Sequence, residues 1–305
     1  MENFVERQRH LLDRFPDLKS ILILTIPYAN KARPSLLQSA GQIARYAWGR
    51  NYHRVIEKRL KRLEVFIQTR ATGAARTVRC IDTSPIQERA LAEMAGLGFI
   101  GKNTCLILPK GGSFVFLAAL LTNLELPADK PITWDCGSCT LCLESCPTKA
   151  LTPSRPYELD AGRCISNLTI ENKGEIEPVL RPAVHNWIFG CDICQEVCPY
   201  NRKTHQEAWP EFEAKSGAGA QLPLGEILQI RTEEAFLQRF AGTPLMRSKR
   251  AGLLRNAAVV AGNSGTRELI PTLTETSQQD PSAIVREHAV WALEQLAKVP
   301  SASTH

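Results

Sequence analysis

Two cysteine runs constrain the fold of this chain more than any other feature: CGSCTLCLESCP at 136–147 and CDICQEVCP at 191–199. Cys136, Cys139, Cys142 and Cys146 follow the C-x2-C-x2-C-x3-C-P spacing, in which three thiolates hold one [4Fe–4S] cube and the fourth serves a neighbouring cube. The tight C-x2-C turns wrap a single cube, and the x3 step into Pro147 carries the chain away from it. The second run, Cys191-x2-Cys194-x3-Cys198-Pro199, is one thiol short, because Ile188 stands where a further cysteine would fall. Cys198 therefore completes the cluster begun by Cys136, Cys139 and Cys142. The second cluster takes Cys191, Cys194 and the surplus Cys146, and it needs one thiol from outside both runs. Cys164, in GRCISN between them, is the cysteine that closes this count. Two zinc sites are the competing reading, but zinc ligands usually come as separated C-x2-C pairs. Cys80 and Cys105 are left over and are expected to be buried free thiols on strands, where cysteine packs as a small apolar residue.

Ten cysteines without a basic-then-apolar leader or an Arg-Arg pair fit metal ligation better than disulfides. The protein is expected in the cytoplasm. No apolar run approaches the ~18–20 residues that cross a bilayer, so no membrane partner is expected. The longest early run, ILILTIPYA at 21–29, is interrupted by Thr25 and Pro27 and reads as a buried strand. The formal charge is +6. Two clusters at roughly −2 each would bring it near +2, so basic character has to be judged locally.

The pattern along the chain predicts an α+β multidomain protein. Residues 1–130 alternate strands and helices, as in an α/β domain. SILILTIPY (20–28) is a strand, and residues 51–70 form a helix with Ile56, Leu60, Leu63 and Ile67 on one stripe. Lys58, Arg59, Lys61 and Arg62 lie off that stripe as a solvated basic face. TVRCID (77–82) is a strand leading into a helix at 85–95, with Ser84, Pro85 and Gln87 forming a capping box. Asp82 then sits at the strand end, free of capping duty. NTCLILP (103–109) and SFVFLAALLT (113–122) are further strands. Residues 131–214 form a ferredoxin-like unit with two clusters. KSGAGAQLP (215–223) reads as a linker into a helical region that ends at residue 305. There SKRAGLLRNAAVVAG and TRELIPTLTE form a hairpin ahead of DPSAIVREHAVWALEQLAK, which has the pattern of the second helix of a HEAT-type repeat. One and a half such repeats must dock on the rest of the protein to bury their apolar face.

IARYAWGRNYH (43–53), IDTSPIQERALAEMAGLGFIGKN (81–103), the ferredoxin run, CISNLTIENKG (164–174) and GCDICQEVCPYN (190–201) together resemble the epoxyqueuosine reductases. The resemblance covers nearly the whole chain in that family's order. It implies a cobalamin-dependent iron–sulfur enzyme acting on tRNA. The N-terminal domain would hold cobalamin, with two clusters relaying electrons to it. The implied reaction converts epoxyqueuosine at the wobble position to queuosine, the last step of queuosine synthesis. The chain lacks a D-x-H-x-x-G signature, so cobalamin rests on the resemblance alone. Relatives usually carry a further segment before the strand at 20–28, and part of that subdomain is expected to be missing here, which bears on Arg7 and Arg9.

The family's proton donor falls on Asp82, whose carboxyl would need its pKa raised by burial against corrin and base. The resemblance assigns cobalamin contacts to Arg7, Ala44, Asp82, Lys102 and Asn103. It adds Ile107, Ser113, Ser166 and Asp192, the last lying between two cluster ligands where support of the cluster is equally open. Tyr52 and His53 fall in a family motif but read first as structural. For tRNA, Lys173, Lys249, Arg250 and Arg255 are the contacts expected, the last three on the repeat. The partners implied are tRNA bearing epoxyqueuosine and an external low-potential electron donor of flavodoxin or ferredoxin type, with the protein a monomer. A reductive dehalogenase shares the corrin-plus-two-cluster plan, but those enzymes carry a twin-Arg leader and lack the repeat. A ferredoxin-type electron carrier would leave the first 130 residues without a task.

Overall fold

The computed structural model describes residues 6–298 apart from 7–9, 12, 29–34, 36 and 203–207. Its first segment runs β1 (Ser20–Pro27), β2 (Ala40–Ile43), α1 (Tyr52–Arg70), β3 (Thr77–Cys80), α2 (Glu88–Met94), β4 (Phe99–Ile100), β5 (Leu106–Ile107) and β6 (Val115–Thr122). β6 is the centre of a three-stranded sheet, flanked by β1 and β3. The two-residue period of a strand sorts β1 onto two cores. Leu24 and Ile26 pack with Phe116 and Ala118 on one face, while Ile21 and Ile23 pack with Ala119 and Leu121 on the other. Strand–helix alternation suggested an α/β plan, yet both pairings in this sheet are antiparallel.

α1 covers the first of those cores with Val55, Ile56 and Leu60. Its N-cap is Asn51, whose side chain accepts the His53 N–H at 3.0 Å. Lys58, Lys61 and Arg62 are exposed. Arg59 is drawn inward, stacking 4.0 Å over Trp209 and pairing with Glu211 at 2.8 Å. The helix expected at 85–95 begins three residues late, at Glu88, and its start carries no side-chain cap. Ser84 and Glu88 have other work: Ser84 Oγ accepts the Ile81 N–H, and Glu88 Oε1 accepts the Asp82 N–H at 2.7 Å. The turn at 81–84 takes up the Ser84 Oγ acceptor that a capping box would have used.

The cysteine segment contributes α3 (Leu141–Glu144), α4 (Ile165–Ile170), β7 (Trp187–Phe189) and α5 (Ile193–Glu196). The tail follows as β8 (Gln221–Pro223), α6 (Leu224–Leu228), α7 (Glu233–Phe240), α8 (Lys249–Ser264), α9 (Ile270–Gln279) and α10 (Ala283–Ala297). The stretch expected as a linker is partly β8, which pairs antiparallel with β2, while β2 pairs parallel with β7. One sheet thus draws a strand from each of the three segments. The largest core does the same, joining Ile43 and Trp48 to Leu168, Ile188 and Phe189, and to Leu253, Val259 and Leu296 of the tail.

α8 lies at the middle of that core, and every residue from Leu253 to Ala261 is at most 1% exposed. A helix apolar all round belongs inside a protein, and AAVVAG reads that way. Gly262 lets α10 come close, since a Cβ there would lie 2.9 Å from Ala292 Cα. No helix among the described residues is long and apolar enough to cross a membrane.

Candidate active site

Each cysteine run contains a single helical turn, α3 or α5, so cysteines three or four positions apart turn toward a common interior. Cys136, Cys139 and Cys142 line one cavity together with Cys198 from the other run. Burial, and then the charges of Cys136, Cys198 and Cys139, push the Cys142 thiol up to about 11. Cys191 is raised by burial, with Asp192, Cys164 and Cys146 adding to it. The structure thereby groups Cys136, Cys139, Cys142 and Cys198, and separately Cys146, Cys164, Cys191 and Cys194. Crowded thiols of this kind ionise only against strong positive charge, which iron provides. Among the described residues no three His, Cys, Asp or Glu side chains converge on a single-ion spacing. Four cysteines around one cavity are the donor number of a [4Fe–4S] cube.

Lys102 ties the first run down, donating from Nζ to the carbonyls of Gly137 at 2.7 Å and Cys139 at 3.0 Å. Asn103 Nδ2 donates to the Cys194 carbonyl at 3.4 Å. Cys105 departs from expectation. It is only partly buried and lies just ahead of β5. A hydrogen bond between its thiol and Cys194, followed by burial, raises the Cys194 thiol. Nothing in the spacing of the runs points to Cys105. Cys80 is buried on β3.

Asp82 follows β3 with φ of +49°, a left-handed backbone that Asp tolerates better than most residues. Tyr52 OH donates to Asp82 Oδ2 at 2.8 Å, and His53 Nε2 lies 3.2 Å from the same oxygen. Both side chains come from the first turn of α1. The hydrogen bond from His53 is the largest influence and holds the Asp82 carboxyl below its ordinary range, with burial opposing and Tyr52 and Arg247 assisting. Catalysis by a lone carboxylic acid calls for the reverse shift, and the difference comes from these α1 partners around a side chain that is 54% exposed. Burial raises Glu88 to about 7.

Asp82 opens onto a cavity of about 950 Å³, at the upper end of ligand-site volumes. Tyr46, Asn51, Tyr52 and His53 border it on one side, and Cys164, Ser166, Asn167 and Ile170 on another. Thr243, Pro244, Met246 and Arg247 of the tail close its mouth. A carboxyl group and the Cys164 thiol therefore face one space.

Of the residues assigned to cobalamin, Asp82 and Ser166 line this cavity. Ala44, Asn103, Ile107, Ser113 and Asp192 are buried elsewhere. Ala44 lies against Gly190, where an added Cβ would approach it to 2.6 Å. Ile107 lines the first cluster's cavity. Ser113 Oγ donates to Gln195 Oε1 at 2.9 Å, and Asp192 Oδ2 accepts the Arg45 N–H at 2.7 Å. These four polar or apolar supports and Asn103 stand behind the cysteine runs. Arg7 and Arg9 lie outside the described residues.

Two of the tRNA assignments are corrected. Arg250 is 3% exposed and holds Asp280 through bonds of 2.9 and 2.8 Å. Arg255 is 1% exposed and donates to the carbonyls of Leu168 at 2.6 Å and Asn172 at 2.9 Å. Neither guanidinium reaches a phosphate, because both tie α8 into the core. Lys249 is exposed. Lys173 is exposed too, with Nζ on the carbonyls of Ile170 at 2.8 Å and Arg247 at 3.1 Å. Besides Arg89, the cavity is lined by a second cation that sequence reasoning missed, Arg247, paired with Glu171 at 2.8 Å. It is one short turn from the lysine and arginine that were chosen.

Comparison with known proteins agrees with this arrangement. The family model described as Epoxyqueuosine reductase QueG matches residues 9–83, and a 4Fe-4S double cluster binding domain matches 135–201. The epoxyqueuosine reductase of Xanthomonas campestris is 44% identical over 83% of this chain and 70% of its own length. That of Escherichia coli is 39% identical over 88% of this chain and 69% of its own. A crystal structure of an epoxyqueuosine reductase with an epoxyqueuosine-modified tRNA-Tyr stem loop superposes with TM-score 0.84 at 34% identity, covering 93% of this chain and 75% of that one. The Bacillus subtilis enzyme, captured with its catalytic aspartate loop swung out of the active site, matches with TM-score 0.84 at 33% identity, covering 93% of this chain and 75% of that one. The chain belongs to the epoxyqueuosine reductase family.

Proposed function

We propose that the chain reduces epoxyqueuosine to queuosine in tRNA, in the cavity between Asp82 and Cys164. The observation that carries this is the shared space itself: the Asp82 carboxyl on one wall and Cys164, read as a cluster ligand, on another. The apolar border of Tyr46, Ile170 and Met246, with amide and hydroxyl groups on Asn51, Asn167, Ser166 and Thr243, fits a flat macrocycle edged with amides. Cobalamin bound there would supply the two-electron reductant, recharged one electron at a time by the clusters. Asn51, Ser166 and Asn167 would hold its periphery.

Removing an epoxide oxygen as water takes two electrons and two protons. Asp82 presents protons to the departing oxygen, and Tyr52 fixes the carboxyl on its other side. The tail supports RNA binding: Arg247, Lys249 and Lys173 gather at the mouth, where phosphates of an anticodon loop would lie and the modified nucleotide would turn inward. Its HEAT-like pattern is consistent with that task. Electrons from a flavodoxin- or ferredoxin-type donor would enter at the first cluster, beside the exposed Trp134 and the half-buried Tyr200. The protein would act as a cytoplasmic monomer, in three segments near 1–130, 131–214 and 215–305. The test is single-turnover reduction by reconstituted, chemically reduced enzyme on an epoxyqueuosine-bearing stem loop, with nucleosides weighed after digestion. Queuosine is the expected product, and recovery of unchanged epoxyqueuosine would reject the proposal.

A further inference from the structure

We infer that the reaction's protons are stored on His53 and handed on through Asp82, so that the pair rather than Asp82 alone is the acid. This rests on the reading of the Asp82 cavity as the reaction site. His53 Nε2 lies 3.2 Å from Asp82 Oδ2, at the distance of a proton-transfer pair. The imidazole is placed rigidly. Its backbone N–H is held by Asn51 at 3.0 Å, and its ring lies against Tyr52 with centroids 4.3 Å apart. Tyr52 in turn stacks on Phe116 at 4.4 Å and 11°, so α1 presents both side chains from a fixed frame. In the loop they grip, Asp82 has a left-handed backbone and its N–H goes to Glu88.

Stoichiometry supplies the reason for a second group. Each turnover breaks two C–O bonds of the epoxide and delivers two protons to one oxygen, while a single carboxyl holds one. In each delivery the His53 Nε2 proton passes to the Asp82 carboxylate, and the carboxyl passes a proton to the departing oxygen. This leaves neutral imidazole and carboxylate, and His53 then takes a proton from water. The first delivery yields a hydroxyl and the second yields water, with both electrons coming from the reduced enzyme. His53 is suited to recharging, since it lines the cavity and its side chain is 33% exposed. The charges around the pair also favour an ionised carboxylate next to the imidazole. Arg247 from the tail lowers the Asp82 carboxyl, after His53 and Tyr52. Tyr46 after β2, Glu88 and Arg89 on α2, Cys164 ahead of α4 and Glu171 beyond it are the other titratable or charged groups around the pair among the described residues. A carboxyl kept ionised by its partner is a poor proton store but a good conduit.

The experiment measures single-turnover rates from pH 5.5 to 9 with reconstituted, pre-reduced holoenzyme and an epoxyqueuosine-bearing stem loop, with iron content and RNA affinity as controls. The wild-type rate should fall as pH rises and the pair loses its proton. His53→Gln can still hydrogen-bond Asp82 but carries no proton. Its rate at neutral pH should fall by about 10²-fold, and its profile should move to lower pH, where Asp82 must be protonated by itself. His53→Ala should be partly rescued by added imidazole, which a purely structural role would not allow, whereas Tyr52→Phe should gain nothing from imidazole. A His53→Gln enzyme with the wild-type rate and profile would overturn the relay, as would a folded His53→Ala enzyme that imidazole leaves unimproved. Asp82→Asn is the separate control. If it turned over at the wild-type rate, the reading of the cavity itself would fail, whatever the histidine variants did.

Discussion

At the scale of single residues, the proposal gives Asp82 the proton-transfer role, and Tyr52 and His53 hold its side chain. Asn accepts a left-handed backbone as readily as Asp and can still accept the Tyr52 hydroxyl. Asp82→Asn should therefore keep fold, iron and RNA affinity while single-turnover reduction drops ~10²–10⁴-fold. Cys164 makes a second test. It reaches the second cluster from outside both runs, as the neighbour of Cys146 and Cys191. In Cys164→Ala that cluster keeps three protein thiolates, so iron should fall from about eight toward four per chain. Two unaltered cluster signals in electron paramagnetic resonance would refute the ligand assignment. The cysteine grouping was legible because cube geometry dictates spacing along the chain. The partners of Asp82 were not: Tyr52 and His53 are about 30 residues away in sequence, and only the docking of α1 beside the end of β3 brings them there.

At the scale of elements, α8 decides what the tail does. The repeat pattern placed a helix there but could not say which side faced solvent, because two arginines on it are satisfied internally. Arg250→Glu would set a second carboxylate beside the buried Asp280, at a cost of roughly 3–5 kcal/mol, so unfolding should precede any measurable change in RNA binding. Lys249→Ala is the informative change: the fold should survive, and the slope of log affinity against log salt should flatten by about 0.7–0.9 if Lys249 meets a phosphate. An unchanged slope would remove it from the interface. α10 offers a pH test through His288, which is fully buried and accepts the Ile176 N–H at 3.2 Å. Burial first, and then Arg181, lower its pKa from 6.5 to about 4. The unfolded chain thus takes up the proton first as pH falls. The stabilisation is complete above about pH 6.5 and is lost on going down toward 4. Thermal melts across that window should fall more steeply in the wild type than in His288→Gln, and parallel curves would show that His288 does not contribute.

At the scale of the whole molecule, the tail is part of the body. Cutting after Leu222 removes α6–α10 and with them much of the largest core, and it strips Arg255 and Asn256 from the carbonyls of Leu168 and Thr169 on the cluster-bearing helix. Buried carbonyls left without donors cost ~1–3 kcal/mol each. The truncated chain should lose the second cluster and aggregate, rather than remain an intact reductase with weak RNA affinity. Full iron content after truncation would contradict this. What the sequence alone determined were the features fixed by local geometry: the cysteine spacing, the amphipathic stripe of α1, the apolar helix α8 and the strand SILILTIP. Each needs only its own residues and a period of two, three or 3.6. Tertiary structure alone decided that a glycine-rich stretch ends in a strand pairing with β2, that Arg250 and Arg255 turn inward, and that Asp82 meets His53. Those outcomes depend on which distant surfaces exclude water together, and burial of that kind leaves no mark on the spacing of residues along the chain.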